Sequence, residues 1–517
     1  MNQLAIRQED ANILLHQKNI LDEQVIDKYR TAGTITETGL NYAIDLINQI
    51  YHFKSRQPLS VSQLCLMIDS LLVNMLSKVY LKCEKSITNP TSFNVNEVVS
   101  NFSPELDDSN EYFFKEGDII TINLGVQIDG YNSNVSHTIC IYPPGDKPIG
   151  PLLGGKADSI IANYLCTKIV IALLGLSMTP EKLPLEARKF GNVVNGSMIK
   201  HYVNYIAEQF NCRVIPGSEI RQIRRFLSGQ NELLEEKGYK GIKWYESDEE
   251  INIINKLGGE TNSITKIFGE DTVKHQKGDE EFIIKSGEIY QINLKVASIN
   301  DFNEIGIITT ETINEYTGVN NKVNEFKMKP TIFIRDFIMN YKLKLKASRN
   351  LISKIDKKYS VYPFKLNYLT SSFPMKNNSL QEMNEIKSQI LDNKLGLNEI
   401  LNHNLVNAKP IQVIKFLPYK SVLDNHSVTS MGVNVDKLIK NSNVITDKSI
   451  ESTTVLINNL NNELIQLSNN FEPVYCQSQF KLVDPTVEQL FNSLNGKFGV
   501  KVKKVNALPI KEQMDLD

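Results

Sequence analysis

Between Glu116 and Tyr142 the chain reads EGDIITINLGVQIDGYNSNVSHTICIY, and this stretch leaves little choice of local structure. Ile119 to Ile128 is apolar and β-branched, with Ile120, Ile122 and Leu124 on one parity. Asp129-Gly130 is a dipeptide favoured where both central turn residues need φ > 0, and Val135 to Tyr142 returns. A β-hairpin with a two-residue turn sets Asn123 opposite Ser136 and Asn134 opposite Gly125. The Asn123 and Asn134 amides then share a face as diagonal neighbours, roughly 7–8 Å apart or less. Side chains converging from adjacent strands are how a β-scaffold builds a metal site. Here both are amides, not carboxylates.

The hairpin has an internal counterpart. Gly117 to Val126 follows the pattern G-[DE]-I-x-x-I-N-L-x-V, and Gly287 to Val296 follows it again with Asn293 in register with Asn123. Duplication predicts two related halves of helices and antiparallel strands, facing each other with Asn123, Asn134 and Asn293 near the shared centre. The order of elements agrees with an α+β fold rather than an alternating βαβ sheet. Helical spacing predicts helices over 20–51, from Ser60 or Ser62 through Lys82, over 156–176 and over 193–210. The acidic loop of Glu105, Asp107, Asp108 and Glu111 is expected to be solvated. Two segments read as insertions, a charged one at about 230–280 and an Asn/Ser/Thr-rich surface one at 419–471. One domain over 1–517 results, with halves at about 20–210 and at 211–418 plus 473–510.

Composition narrows the function classes. With a net charge of −2, the chain is no simple basic nucleic-acid binder, so any basic surface is local. The six cysteines form no C-x-x-C pair, which excludes a zinc ribbon and a disulfide framework and fits a reducing compartment. The N-terminus is too polar for a signal peptide. The apolar stretch 160–176 carries Lys168 and is shorter than the ~20 residues of a span, so no membrane insertion is expected. There is no P-loop and no G-x-G-x-x-G. His137, alone in its strand, reads as a packed or hydrogen-bonded residue.

The hairpin, Pro90-Thr91-Ser92 with Val95-Asn96, and the later Phe102-Ser103-Pro104 resemble the methionine aminopeptidase-like, pita-bread family. The segments GPLLGGKAD (150–158), IRRFLSGQNE (223–232) and YKG (239–241) resemble its fungal ribosomal-export-complex branch, described as probable metalloproteases. The proliferation-associated, Ebp-type proteins are cousins. Active enzymes of the fold hold two divalent metals with two Asp, one His and two Glu. The resemblance puts Asn123 and Asn134 at the Asp positions and Asn293 at the first Glu. It puts Lys481 at the last Glu and Asn101 at a substrate-contacting His. The stretch 217–221, where the metal-binding His belongs, has no histidine. A neutral amide cannot bridge two transition metals as a carboxylate does, so no catalytic residue, metal or cofactor is expected.

Two basic groups are candidate binding surfaces. Arg221, Arg224 and Arg225 would share a helical face. Lys342, Lys344 and Lys346 alternate with Leu343 and Leu345 as in a strand, with Arg349 following. Lys497, Lys501, Lys503 and Lys504 form a third group. The resemblance implies a non-catalytic assembly and export factor of the large ribosomal subunit precursor, touching ribosomal RNA, ribosomal proteins and other assembly factors. It further implies shuttling between nucleus and cytoplasm, with a groove between the halves for Phe-Gly nucleoporins. An active metallopeptidase and an Ebp-type RNA-binding translational regulator are the alternatives.

Overall fold

The computed structural model describes residues 13, 17–106, 111–145, 150–225, 240–250, 275–302, 304–313, 328–359, 361–418, 442–459, 461–496 and 500–509. The first half begins with α1 (Glu23–Ile47), capped by Asp22, whose carboxylate accepts from Val25 N at 2.7 Å. α1 runs on into a single π-turn, and α2 (Val61–Lys78) starts where Ser60 N donates to Gln63 Oε1. The strands β1 (Lys85–Val95), β2 (Val98–Ser100), β3 (Ile119–Ile128) and β4 (Tyr131–Cys140) follow, then α3 (Gly155–Leu176) and α4 (Gly196–Gln209). Next come β5 (Cys212–Val214), β6 (Glu219–Ile223), β7 (Gly241–Lys243), β8 (Ile289–Ser298), β9 (Gly306–Ile313) and β10 (Phe333–Arg335). The chain continues through α5 (Lys346–Lys358), α6 (Leu380–Asn402), β11 (Val406–Ala408), β12 (Ile411–Pro418), β13 (Asn443–Val444), β14 (Lys448–Asn458) and β15 (Glu463–Gln466). It closes with α7 (Pro485–Asn492) and β16 (Lys501–Lys504).

The main sheet has the order β1-β3-β4-β14-β8-β6-β7, and the strands on this path pair antiparallel. Across the β4–β14 seam, β4, β3 and β1 on one side correspond to β14, β8 and β6 on the other, with β7 added beyond β6. β3 and β8, which carry the repeated pattern, occupy equivalent places one strand out from the seam. The glycines that open the two repeats, Gly117 and Gly287, have φ of 86° and 81°. A backbone position that only glycine adopts without strain thus recurs at both strand entries.

Alternation sorts the sheet into two faces. Ile120, Ile122, Leu124 and Val126 of β3 pack with α1 and α2, and Ile292, Leu294 and Val296 of β8 pack with α3 and α4. Each such side chain contributes roughly 1.5–3 kcal/mol by leaving water. α3 spans 22 residues, longer than its apolar stretch suggests, and is long and apolar enough to cross a membrane, yet most of it is buried. Its Asn163 amide donates to Leu294 O and Ser449 O, as befits a core helix laid on a sheet. The opposite face is polar. At one end of it a small sheet, β13-β12-β2 with β9 on β12, lays Val99, Ile308, Ile414 and Phe416 over Ala297 and Ile450.

Several sequence expectations are corrected. The surface insertion expected at 419–471 contains β14, buried along its whole length at the centre of the main sheet; residues 419–441 of it lie outside the described residues. Most of the insertion expected at 230–280 also lies outside them. Lys342 to Leu345 form no strand but an irregular segment leading into α5. Asn89-Pro90 falls inside β1, where two register shifts and the edge position accommodate the missing N–H.

The acidic loop is only partly solvated, since Glu105 is buried and accepts from Leu366 N at 2.7 Å. Burial pushes its carboxyl up to about 7, against the opposing pull of Lys365. Lys365 is itself fully buried and donates to Ser103 Oγ at 2.8 Å, near buried Asp69, which accepts from Thr91 N and the Tyr368 hydroxyl. These groups tie α2 and the strand pair after it to the 365–368 turn. Asp107 and Asp108 lie outside the described residues.

Candidate functional site

The predicted hairpin register is observed. Asn123 stands opposite Ser136 and Gly125 opposite Asn134. Following the register outward gives one row across seven strands: Ser92, Asn123, Ser136, Ser452, Asn293, Glu219 and Lys243. Direct cross-strand partners share a face, so these side chains all point to the polar side of the sheet. Symmetry about the seam relates Asn123 to Asn293 and Ser136 to Ser452. Asn123 and Asn293 are therefore three strand steps apart, roughly 14 Å along a flat sheet and less across a curved one.

The amides are held by neighbours. Asn123 Oδ1 accepts from Asn89 Nδ2 at 2.5 Å and from Ser136 Oγ at 3.1 Å. Asn134 Oδ1 accepts from Thr88 Oγ1 at 2.7 Å. Gly125 is required opposite it, because a Cβ there would lie 1.9 Å from that oxygen. Lys295, two residues along β8 from Asn293, and Lys448, four residues along β14 from Ser452, lie on the same face by strand parity. Lys448 is fully buried, and its Nζ makes a long 3.5 Å contact with Asn94 O. Burial pushes its ammonium down to about 7, opposed by Glu97 and reinforced by Lys295. Burial also pushes Lys295 down, opposed by Glu219.

This donor set does not fit a dinuclear metal centre. Two divalent ions need bridging carboxylates to offset four positive charges. The row offers amides, hydroxyls and one carboxylate, Glu219, which pairs with Arg221 at 3.6 Å on its own strand. Lys295 and Lys448 on the same face add positive charge where an enzyme needs negative. Among the described residues, no group of three or more His, Cys, Asp or Glu could hold a metal. The place expected for Lys481 is corrected. Lys481 is exposed on an irregular segment outside the sheet, and the residue that the register sets between Ser136 and Asn293 is Ser452.

No family model matches the chain. Comparison with curated proteins gives "Probable metalloprotease ARX1" of Debaryomyces hansenii, 43% identical over the whole of both chains. The protein of the same name from Candida albicans is 43% identical over 99% of this chain and 98% of its own. The chain belongs to the Arx1 family. The Saccharomyces cerevisiae member is 39% identical over 81% of this chain and 75% of its own. Among solved structures, a thermophilic Arx1 superposes with a TM-score of 0.56 at 18% identity, covering 91% of this chain and 98% of that one. The shared fold is the pita-bread architecture.

The other expected site residues are placed as follows. Asn101, at φ 62°, donates its amide to Pro410 O at 2.8 Å, which ties the end of β2 to the start of β12. The arginines do not share a helical face, because Arg221 lies on β6 and Arg224 and Arg225 follow it. Arg224 Nη2 reaches Gln222 Oε1 at 3.5 Å. Arg225 works inward: its Nε donates to Asp129 O at 2.8 Å, its Nη2 pairs with the Asp129 carboxylate, and it lies over the Tyr131 ring. Lys28 grips the same carboxylate at 2.6 Å. His137 is hydrogen-bonded and packed, with Nδ1 3.1 Å from Glu451 Oε2 and its ring stacked on Phe471. Lys342, Lys344, Lys346 and Arg349 are exposed. Of the C-terminal group, Lys503 pairs with Glu463, Lys501 and Lys504 are exposed, and Lys497 lies outside the described residues.

The clamp on Asp129 makes a prediction. Burial raises that carboxyl, but the hydrogen bonds and charges of Lys28 and Arg225 outweigh it and hold the carboxyl below its usual range. A depressed carboxyl contributes stability above the unfolded-state pKa and loses it as pH falls through the folded one. Asp129 sits at φ 55°, which Asn also tolerates, so Asp129→Asn removes charge while keeping the turn. A loss of about 1–2 kcal/mol at pH 7 is expected, shrinking as the pH drops below about 4. Urea unfolding of both proteins at pH 7 and pH 3.5 measures it.

Proposed function

We propose that this chain is a non-catalytic assembly and nuclear-export factor of the large ribosomal subunit precursor, accompanying it from nucleus to cytoplasm. The observation that carries the non-catalytic part is the register row, in which Asn123, Ser136, Ser452 and Asn293 present amides and hydroxyls, with Asn134 two residues along β4 from Ser136; the resemblance puts Asn123, Asn134 and Asn293 at carboxylate positions of the enzymes. The ribosomal part rests on the resemblance to the export-complex branch and on the exposed cations Lys342, Lys344, Lys346 and Arg349. Precursor RNA and ribosomal proteins are the partners in this reading, with other assembly factors alongside and Phe-Gly nucleoporins met in transit.

The name shared by the relatives, "Probable metalloprotease", supports a second reading as a metallopeptidase. Metal analysis and peptide cleavage separate the two. The purified chain is expected to hold far less than one equivalent of Mn, Fe, Co or Zn and to cleave no N-terminal methionine. Stoichiometric metal with cleavage overturns the proposal. A third reading, an Ebp-type RNA-binding regulator, finds support in "ERBB-3 BINDING PROTEIN 1" of Solanum tuberosum, 23% identical over 76% of each chain. Salt-sensitive co-sedimentation with large-subunit precursors but not with mature subunits is expected for the export factor. Co-sedimentation with neither overturns it.

A further inference from the structure

The segment after β10 presents an unusual surface. Phe337, Ile338, Met339 and Tyr341 are all exposed large apolar or aromatic residues, with Ile338 76% exposed. Looseness is not the cause, because the backbone is pinned. Ile338 N donates to Asp336 Oδ1 at 2.9 Å, and Tyr341 stacks on His403 of the α6 end at 3.5 Å between centroids. Lys344 N and Leu345 N each donate to an oxygen of Glu399, at 2.7 and 3.1 Å. Arg349 closes the bend by donating to Leu343 O and Lys344 O. One helical turn before Glu399, Leu395 of α6 is 64% exposed, and Leu345, whose N–H Glu399 accepts, is exposed as well. A cluster in sequence of exposed apolar residues, held outward by hydrogen bonds to its backbone, is a feature of docking sites.

Charge chooses the occupant. From Phe337 to Asn350 the sequence carries four cations, Lys342, Lys344, Lys346 and Arg349, and no acid, and the acid that α6 brings against it, Glu399, is engaged by the N–H groups of Lys344 and Leu345. Phosphate would satisfy the cations, but Ile338, Met339, Leu345 and Leu395 gain nothing from an RNA backbone. RNA also prizes open aromatic faces for stacking, whereas Tyr341 is already stacked and Phe337 lies under the Arg335 guanidinium at 4.9 Å. An apolar centre with a cationic rim complements an apolar stripe with acidic flanks. We infer that this surface docks an acidic, apolar-striped segment of a partner protein. The inference rests on the ribosomal reading above only in naming what that reading's basic surface would touch.

The test places a photo-reactive benzoylphenylalanine at Met339 of the full chain in cells. The expected adduct resists ribonuclease, and its mapped peptide is net acidic with spaced aliphatic residues. Its yield falls about tenfold with Ile338→Asp, and likewise with Lys342→Glu plus Lys344→Glu. A ribonuclease-sensitive adduct, a net-basic mapped peptide, an adduct indifferent to Ile338→Asp, or no adduct overturns the inference. Co-sedimentation of wild type with precursor subunits is measured in parallel. If it persists while the crosslink fails, the inference falls and the ribosomal reading stands; if both fail, both fall.

Discussion

Lys448→Met is expected to stabilise the protein at pH 7 and to flatten its stability profile between about pH 7 and pH 10. Lys448 lies in the central strand β14 with no exposed surface, at the end of the polar face that the small sheet covers. Burial disfavours its charged form and pushes the ammonium down to about 7, with Lys295 adding to the push and Glu97 opposing it. The sign follows from proton counting. Between the folded and the unfolded pKa the unfolded chain binds the proton that the folded chain lacks, so stability rises with pH across that window. At 1.36 kcal/mol per unit, the lowering from the ordinary lysine range corresponds to about 5 kcal/mol. Met matches the stem and has no charge to desolvate, so most of that dependence disappears in the variant. Denaturant unfolding at pH 7 and pH 9.5 reads both effects. A variant less stable than wild type at pH 7 would mean that the ammonium is firmly paired in the fold.

The hairpin was legible because its signals are local and concordant. Asp129-Gly130 sets the turn, the alternation sets the faces, and a two-residue turn then fixes which residue opposes Asn123. The repeated G-[DE]-I-x-x-I-N-L-x-V was legible for a similar reason, since both copies begin at a glycine with positive φ. β14 was hidden by its surroundings. Its Ser452 and Thr454 face the polar side of the sheet and its Ser449 and Thr453 are buried as well, so a central strand carries the composition of a loop. Once β14 was misread, Ser452 could not be seen as a member of the polar row, because only strand pairing sets it beside Ser136 and Asn293. Glu219 was invisible as a site residue for the same reason. The arginines show a different limit. Arg225 meets Asp129 across 96 residues of sequence, and no local charge pattern says that a cation is spoken for.

Glu451→Ala is expected to destabilise the protein by about 3–5 kcal/mol, because it removes the main acceptor at the seam between the two halves. β4 and β14 share a single ladder pair, Ser136 with Ser452. Side chains satisfy much of the backbone beside it. Thr138 N donates to Glu451 Oε1 at 3.1 Å, and Ile450 N donates to Thr138 Oγ1 at 2.8 Å. Asn134 N donates to Thr454 Oγ1, and the Asn469 amide reaches Ser136 O and Glu451 Oε2. Alanine at 451 would leave Thr138 N, the Asn469 amide and His137 facing a buried gap. Each uncompensated donor costs about 1–3 kcal/mol. Glu451→Gln keeps the shape but turns an NH2 group toward one of those donors, so its loss should lie between wild type and alanine. Unfolding free energies of the two variants give the ranking, and amide hydrogen exchange gives the location. Protection should fall together in 134–138 and 450–454, on both sides of the seam, while the β3 amides facing β1 keep theirs. A loss below about 1 kcal/mol for alanine would mean that water replaces the carboxylate at little cost. The two halves would then be held by the helices packed across the outer face rather than by the polar seam.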